Sequence, residues 1–229
     1  MSNSDAGKIV AFVHAKATSE RVPGKNLRPL GDCPLFVHAV RAAQKASRVA
    51  EVVVDSDGDE ILSIAEGLGV STLRRPATLA TNNATGDDLA YWQASNRPGS
   101  KVIVQVVPTS PFIRSATIDA AITILEQLQV DSVVGIRAEP LYCWQDNRPV
   151  YRLNGRLPNS TDLPCIIWET TGLYVVRTRF ALQARQRINV DSAAFCRLSK
   201  LESVDINTLE DFEFAEIVWR GMNTEQVAQ

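Results

Sequence analysis

The sequence predicts an α/β protein: a mostly parallel sheet with helices on both faces. Three observations carry this. Short apolar runs rich in β-branched residues recur along the chain. Stretches with helical spacing alternate with them, and Gly- and Pro-containing segments join the two. A strand covered on both faces reads as a continuous apolar run, and strict alternation with helices makes the sheet parallel.

The elements follow in order. Residues 9–14 (IVAFVH) predict a buried strand, and the loop 17–34 follows it. Residues 35–46 predict a helix with Phe36, Val37, Val40 and Ala43 on its apolar side. A second strand is expected at 49–54 and a short helix at 61–68, closed by Gly69 in a left-handed cap. A third strand is expected at 70–73, a helix at 85–96 and a strand at 102–107. Ser115 is positioned to cap a helix over 116–128. Strands are expected at 132–136 and 173–176, and a last helix from Thr208 to about 219, opened by a capping box of Thr208 with Asp211. Residues 140–164 break the rhythm. They are rich in Pro, Asn and Arg, carry Tyr142, Trp144 and Tyr151, and read as an inserted arm on a single domain spanning 1–229.

Composition narrows the function. The 229 residues suit one α/β domain, and 45% apolar residues can fill its core. The net charge is −2 and no Lys/Arg run dominates, which excludes a nucleic-acid footprint. Cys33, Cys143, Cys165 and Cys196 lie far apart without CxxC spacing, and the chain has two histidines, His14 and His38. That pattern argues against zinc and against a disulfide scaffold. The polar N-terminus lacks a signal-peptide core, and no apolar run reaches membrane-spanning length, so the expected compartment is the cytoplasm.

Ligands of open parallel sheets bind beyond the carboxyl ends of the strands. The loop after the first strand, HAKATSERVPGKN, holds Lys16, Arg21 and Lys25 around Ser19 and Gly24. Three cations on one tight loop can surround a triphosphate and meet charge developing on a transferring phosphoryl group. No GxxxxGK[ST] and no GxGxxG is present, which counts against a Walker loop and a dinucleotide enzyme. Asp55 and Asp57 end the second strand and read as loop and helix-cap acids. Asp87 and Asp88 read as first-turn acids of a helix. His38, within an apolar helix, reads as structural.

The loop resembles the signature of the CMP-sugar synthetases, the sialic acid and ketodeoxyoctonate cytidylyltransferases, which read ARxxSKGxPxKN and ARxxSxRxPGK. Arg21 and Gly24 follow the second pattern and Asn26 the first. Further along, RRPATLATNNATG resembles RPxxLAxDxxS, VVPTSPFIR resembles LQPTSPLR, and ESVDINTLEDFEFAE resembles SxDIDTxxDxxxAE. These stretches keep the family's order and span nearly the whole chain.

The resemblance implies a Rossmann-like nucleotidyltransferase sheet that joins CMP from CTP to a small acidic sugar, a nonulosonic acid of the sialic type. It implies that Lys16, Arg21 and Lys25 hold the phosphates, with Ser19 and Asn26 beside the nucleotide. The backbone at His14 and Ala15 would face cytosine, Arg75 would read the base, and Ala84, Thr85 and Gly86 would complete the pocket. Asp205 matches the first aspartate of a magnesium-binding DxD, and Asn207 replaces the second. Lys16 stands where the family has arginine and lacks its fork. On the acceptor side the resemblance places Thr109, Ser110, Thr170 and Thr171. Val107 replaces the family's glutamine, with Gln105 two residues upstream on the same strand face. Arg114, Arg148, Arg152 and Arg156 are candidate donors to the acceptor's carboxylate. Trp168 and Glu169 are read either as closing over the acceptor or as packing residues. In the family the inserted arm reaches across a homodimer. Another acceptor, such as a phosphonate or a sugar phosphate, and a nucleotide-binding protein without turnover remain as alternatives.

Overall fold

The structure, a computed structural model, describes residues 7–153 and 155–227. The chain lays down β1 (Lys8–His14), the short pair β2 (Pro29–Leu30) and β3 (Cys33–Pro34), α1 (Leu35–Lys45), β4 (Glu51–Ser56), α2 (Asp59–Gly67) and β5 (Ser71–Arg74). Then come α3 (Gly86–Asn96), β6 (Ser100–Val106), α4 (Ser115–Gln127) and β7 (Ser132–Pro140). The hairpin β8 (Trp144–Gln145) and β9 (Arg148–Pro149) precedes β10 (Cys165–Arg177), α5 (Thr178–Ala184), β11 (Ala193–Arg197) and α6 (Leu209–Val227).

The main sheet has the order β11-β7-β10-β6-β1-β4-β5. β1 runs parallel to β4 and β6, β4 to β5, and β7 to β11, while β10 is antiparallel to both its neighbours. Strand alternation splits the core into two layers. Ala11 and Val13 face Phe36 and Val40 of α1 and Ile118 and Ile122 of α4. Val10 and Phe12 face Ala90 and Ala94 of α3 and Ala181 of α5. The small residues on that second pair of helices let them sit close to the sheet.

Several boundaries depart from expectation. The second strand starts at Glu51: the Val49 N–H still bonds the Ala46 carbonyl of the preceding turn at 3.3 Å, and the Ala50 N–H makes the first bond to β1, at the Ile9 carbonyl, at 2.9 Å. Ser115 is the first helical residue of α4, and Arg114 holds the cap position. The cap is supplied from elsewhere: the buried Glu202 carboxylate accepts from the Arg114 N–H at 3.2 Å, the Arg114 guanidinium at 3.0 Å and the Ser199 hydroxyl at 2.7 Å, and also from the Thr117 hydroxyl. An anion at a helix N-terminus is favoured by the helix dipole. The capping box of Thr208 with Asp211 forms, and Gly69 takes φ +72° after α2.

The segment expected as an arm lies between the paired outer ends of β7 and β10, where Cys165 opposes Pro140 and Ile167 opposes Ala138. Tyr151 sets its edge against Tyr142 and Trp144, with ring centroids 5.4 and 6.5 Å away. Among the described residues no helix is long and apolar enough to cross a membrane.

Candidate active site

A cleft of about 490 Å³ opens at the carboxyl ends of β1 and β6. The loop after β1 forms one wall with Lys16, Ser19, Arg21, Lys25 and Asn26. The segment after β5 forms the other with Arg75, Leu79, Thr81, Asn82 and Ala84. His14, Leu89, Val107, Pro108 and Thr109 close the bottom.

Local bonds shape the cationic wall. Asn26 Nδ2 donates to the Lys16 carbonyl at 2.7 Å, stapling the loop shut. The Ala17 N–H donates to the Asp57 carboxylate at 2.8 Å. Asp57 therefore holds the loop rather than capping α2, whose cap position is Gly58 with no side-chain bond. Lys25 is buried, and its ammonium donates to the Ile206 carbonyl at 2.8 Å. Burial and the nearby Arg21 lower its pKa. Lys16 reaches across the cleft to Asn82 Oδ1 at 2.6 Å. Arg21 stands exposed at the rim. All three cations line one cavity.

Beneath the opposite wall lies a buried polar network. Arg75 donates through Nε to Asp55 Oδ1 at 2.9 Å and through Nη2 to the Asp55 carbonyl at 2.8 Å, while Gln93 donates to Asp55 Oδ2 at 3.0 Å. Asp55 is thus the partner that lets Arg75 sit buried at the cleft, not a loop acid. His14 lines the cleft with its Nδ1 unpartnered among the described residues. Burial, then Arg75 and Arg187, push its pKa to about 3, so the imidazole is neutral. Ala15 does not offer its N–H to the cleft. Its side chain is buried, and its N–H is used by the Asp55 carbonyl at 2.9 Å because the β1–β4 ladder continues through it. Thr85 caps α3, with its hydroxyl accepting from the Asp88 N–H at 3.2 Å, and Gly86 opens that helix.

On the far side, the Ile206 N–H donates to the Thr109 carbonyl at 2.8 Å, bringing residues 205–207 against the turn after β6. Asp205 Oδ2 accepts from the Thr171 hydroxyl at 3.2 Å and from the Asn207 amide. Asp205 Oδ1 is buried with no partner among the described residues. A carboxylate oxygen left this way fits a hard divalent cation. Asn207 turns its amide nitrogen to Asp205, leaving only its carbonyl oxygen for a ligand. Thr171 takes φ +59°, strained for a β-branched residue, beside this group.

Four acceptor-side expectations fail on side-chain direction. Ser110 is buried against Gly172, where an added Cβ would meet Ser110 Oγ at 2.5 Å. Thr170 is buried and donates to the Gly135 carbonyl at 3.0 Å. Gln105 lies behind the cleft, donating to Gln93 Oε1 at 2.9 Å. Arg114 is committed to Glu202. Arg148, Arg152 and Arg156 are exposed on the arm and do not line the cleft. Glu169 accepts from the Tyr174 hydroxyl at 2.8 Å. A second group, Asp32, Cys33 and His38, already holds its own cation, because Arg41 donates to both Asp32 and Cys33. His38 is structural, bonded to the Leu30 carbonyl at 2.8 Å.

A mostly parallel sheet with a cationic loop at its carboxyl edge and an unpartnered carboxylate oxygen nearby defines the site of a nucleotidyltransferase. Residues 10–216 match the family described as Cytidylyltransferase, and the chain belongs to that family. It is 28% identical over 220 residues to CMP-N,N'-diacetyllegionaminic acid synthase of Legionella pneumophila, covering 91% of this chain and 95% of that one. It is 31% identical over 193 residues to 3-deoxy-manno-octulosonate cytidylyltransferase of Bdellovibrio bacteriovorus, covering 77% and 76%. The solved structure of CMP:2-keto-3-deoxy-manno-octonic acid synthetase complexed with CTP shares the fold, with a TM-score of 0.70, 15% identity and coverage of 94% and 99%.

Proposed function

We propose that the chain transfers CMP from CTP to a nonulosonic keto-acid sugar and releases pyrophosphate. One observation carries this reading: Lys16, Arg21 and Lys25 converge on a single cleft. The acceptor class is supported by the legionaminic acid synthase, which matches over almost its full length. A sugar hydroxyl oxygen bonds to the α-phosphorus, the bond from that phosphorus to the bridging oxygen breaks, and pyrophosphate leaves with the electron pair. The hydroxyl proton passes to water. Lys16, Arg21 and Lys25 stabilise the charge that builds on the departing phosphates. Magnesium, held through Asp205 with the Asn207 carbonyl beside it, would supply further positive charge there.

The chain acts in the cytoplasm as a homodimer. The exposed Leu141, Tyr142, Trp144, Val150 and Leu157 of the 140–164 segment, with Trp168 beside them, support pairing with a second copy.

Pyrophosphate release from CTP across a panel of nonulosonic acids tests the function. Turnover with at least one of them is expected. Turnover with another nucleotide and none with CTP rejects the cytidine assignment; turnover only with sugar phosphates or phosphonates reassigns the acceptor.

A further inference from the structure

A keto-acid acceptor brings a carboxylate, and the three loop cations are already committed to phosphates. Arg187, in the loop after α5, has the position and the free charge to receive it. Its loop is pinned by Ile188, which packs against Val134, Ile136, Ala138 and Tyr174. Its backbone N–H donates to Asp87 at 2.9 Å. Its guanidinium lies 3.6 Å above the Tyr174 ring and 3.5 Å from Gln105 Oε1.

Two features place this group beside the cleft, whose wall it does not itself form. Tyr174 and Gln105 are paired neighbours on β10 and β6, and Val107, just past the end of β6, lines the cleft. Gly86 opens α3 without a side chain, and a Cβ there would lie 2.1 Å from Arg187 Nη1. The guanidinium therefore rests against the bare backbone of Gly86, and, after burial and Arg75, its charge adds to what keeps the cleft-lining His14 neutral.

The partners of other arginines make the contrast. Arg75 is paired with Asp55, Arg114 with Glu202 and Arg137 with Glu139. Among the described residues no carboxylate lies within ion-pair distance of the Arg187 guanidinium, which is partly sheltered from solvent. A sheltered cation of this kind gains a charge-assisted, two-pronged bond when a carboxylate arrives.

We propose that Arg187 anchors the acceptor's carboxylate and sets the specificity of the transfer for acid sugars. This rests on the keto-acid reading above.

The experiment compares wild type, R187Q and R187K on a nonulosonic acid that the wild type turns over and on its methyl ester. Calorimetric CTP binding reports that each variant is folded. R187Q is expected to raise the KM for the acid roughly 10- to 100-fold. It should leave the KM for CTP within about twofold and abolish the preference for acid over ester. R187K keeps a cation over Tyr174 but loses the fork, and should raise the acid KM about tenfold. If R187Q does not fold, R187K decides alone. An unchanged acid KM with acid still preferred over ester overturns the Arg187 assignment and leaves the keto-acid reading standing. A wild type silent with every acid yet active on a neutral or phosphorylated sugar overturns both.

Discussion

A guanidinium with 3% of its side chain exposed needs a carboxylate beside it, and Asp55 supplies one from the end of β4. The cost of burying this pair is offset by the additional bond from Gln93 and by the carbonyl that Arg75 also engages. Arg75 is thereby fixed at the cleft wall before any ligand arrives. Arg21 is the opposite case, an exposed cation at the rim. Arg21→Ala should lower kcat with CTP by at least about 100-fold, because a donor to the developing charge is lost. Its thermal midpoint should match wild type, since exposed substitutions cost little. A fall in both together would assign Arg21 to the fold. At this scale the sequence was readable where the residues are close along the chain. Lys16, Arg21 and Lys25 share one loop and one cavity. It was unreadable for Ser110, Thr170 and Gln105, because a motif names a position and not the direction of its side chain. Arg187 carried no sequence signal: it belongs to no motif and arrives from a loop 82 residues away from its contact Gln105.

Glu202 governs an element from outside it. Its carboxylate is 1% exposed at the start of α4. Burial acts to raise its pKa, but bonds from Arg114, Thr117 and Ser199 outweigh this and hold it at about 2, against an ordinary 4.5. A carboxyl group held low stabilises the fold above its ordinary value, and that contribution is lost as pH falls toward 2. Glu202→Gln should therefore lower stability near neutrality by about 2–3 kcal/mol and flatten the loss below pH 4, measured by urea unfolding across pH. A pH dependence identical to wild type would remove Glu202 from this role. His14 acts in the same direction from higher pH: its folded pKa of about 3 lies below the ordinary 6.5, so protonation favours the unfolded chain as pH drops. The substitution of Arg114 for Ser115 at the cap follows from this long-range carboxylate, which local spacing cannot reveal. α5 and β11 escaped the sequence for a simpler reason. α5 has seven residues, and β11 is an edge strand with Phe195 exposed, so neither carries a strong periodic signal.

The sheet itself was legible because its central strands are buried on both faces and read as unbroken apolar runs, as β1 and β6 do. The antiparallel setting of β10 was not, since its outer half, CIIWET, is largely exposed and mixed in polarity. That half and the outer end of β7 flank the 140–164 segment. Sedimentation of the full chain should show a dimer, and Trp144→Glu, which places a charge on an exposed indole position, should shift the population toward monomer. A wild-type monomer at all concentrations would reject pairing through this segment.

A crystal structure of the chain with CTP and magnesium puts the whole assignment at risk in one experiment. The triphosphate should lie between Lys16, Arg21 and Lys25, with Lys16 released from Asn82 and a metal ion on Asp205 Oδ1. A nucleotide bound elsewhere, or phosphates that leave those three cations untouched, would contradict it.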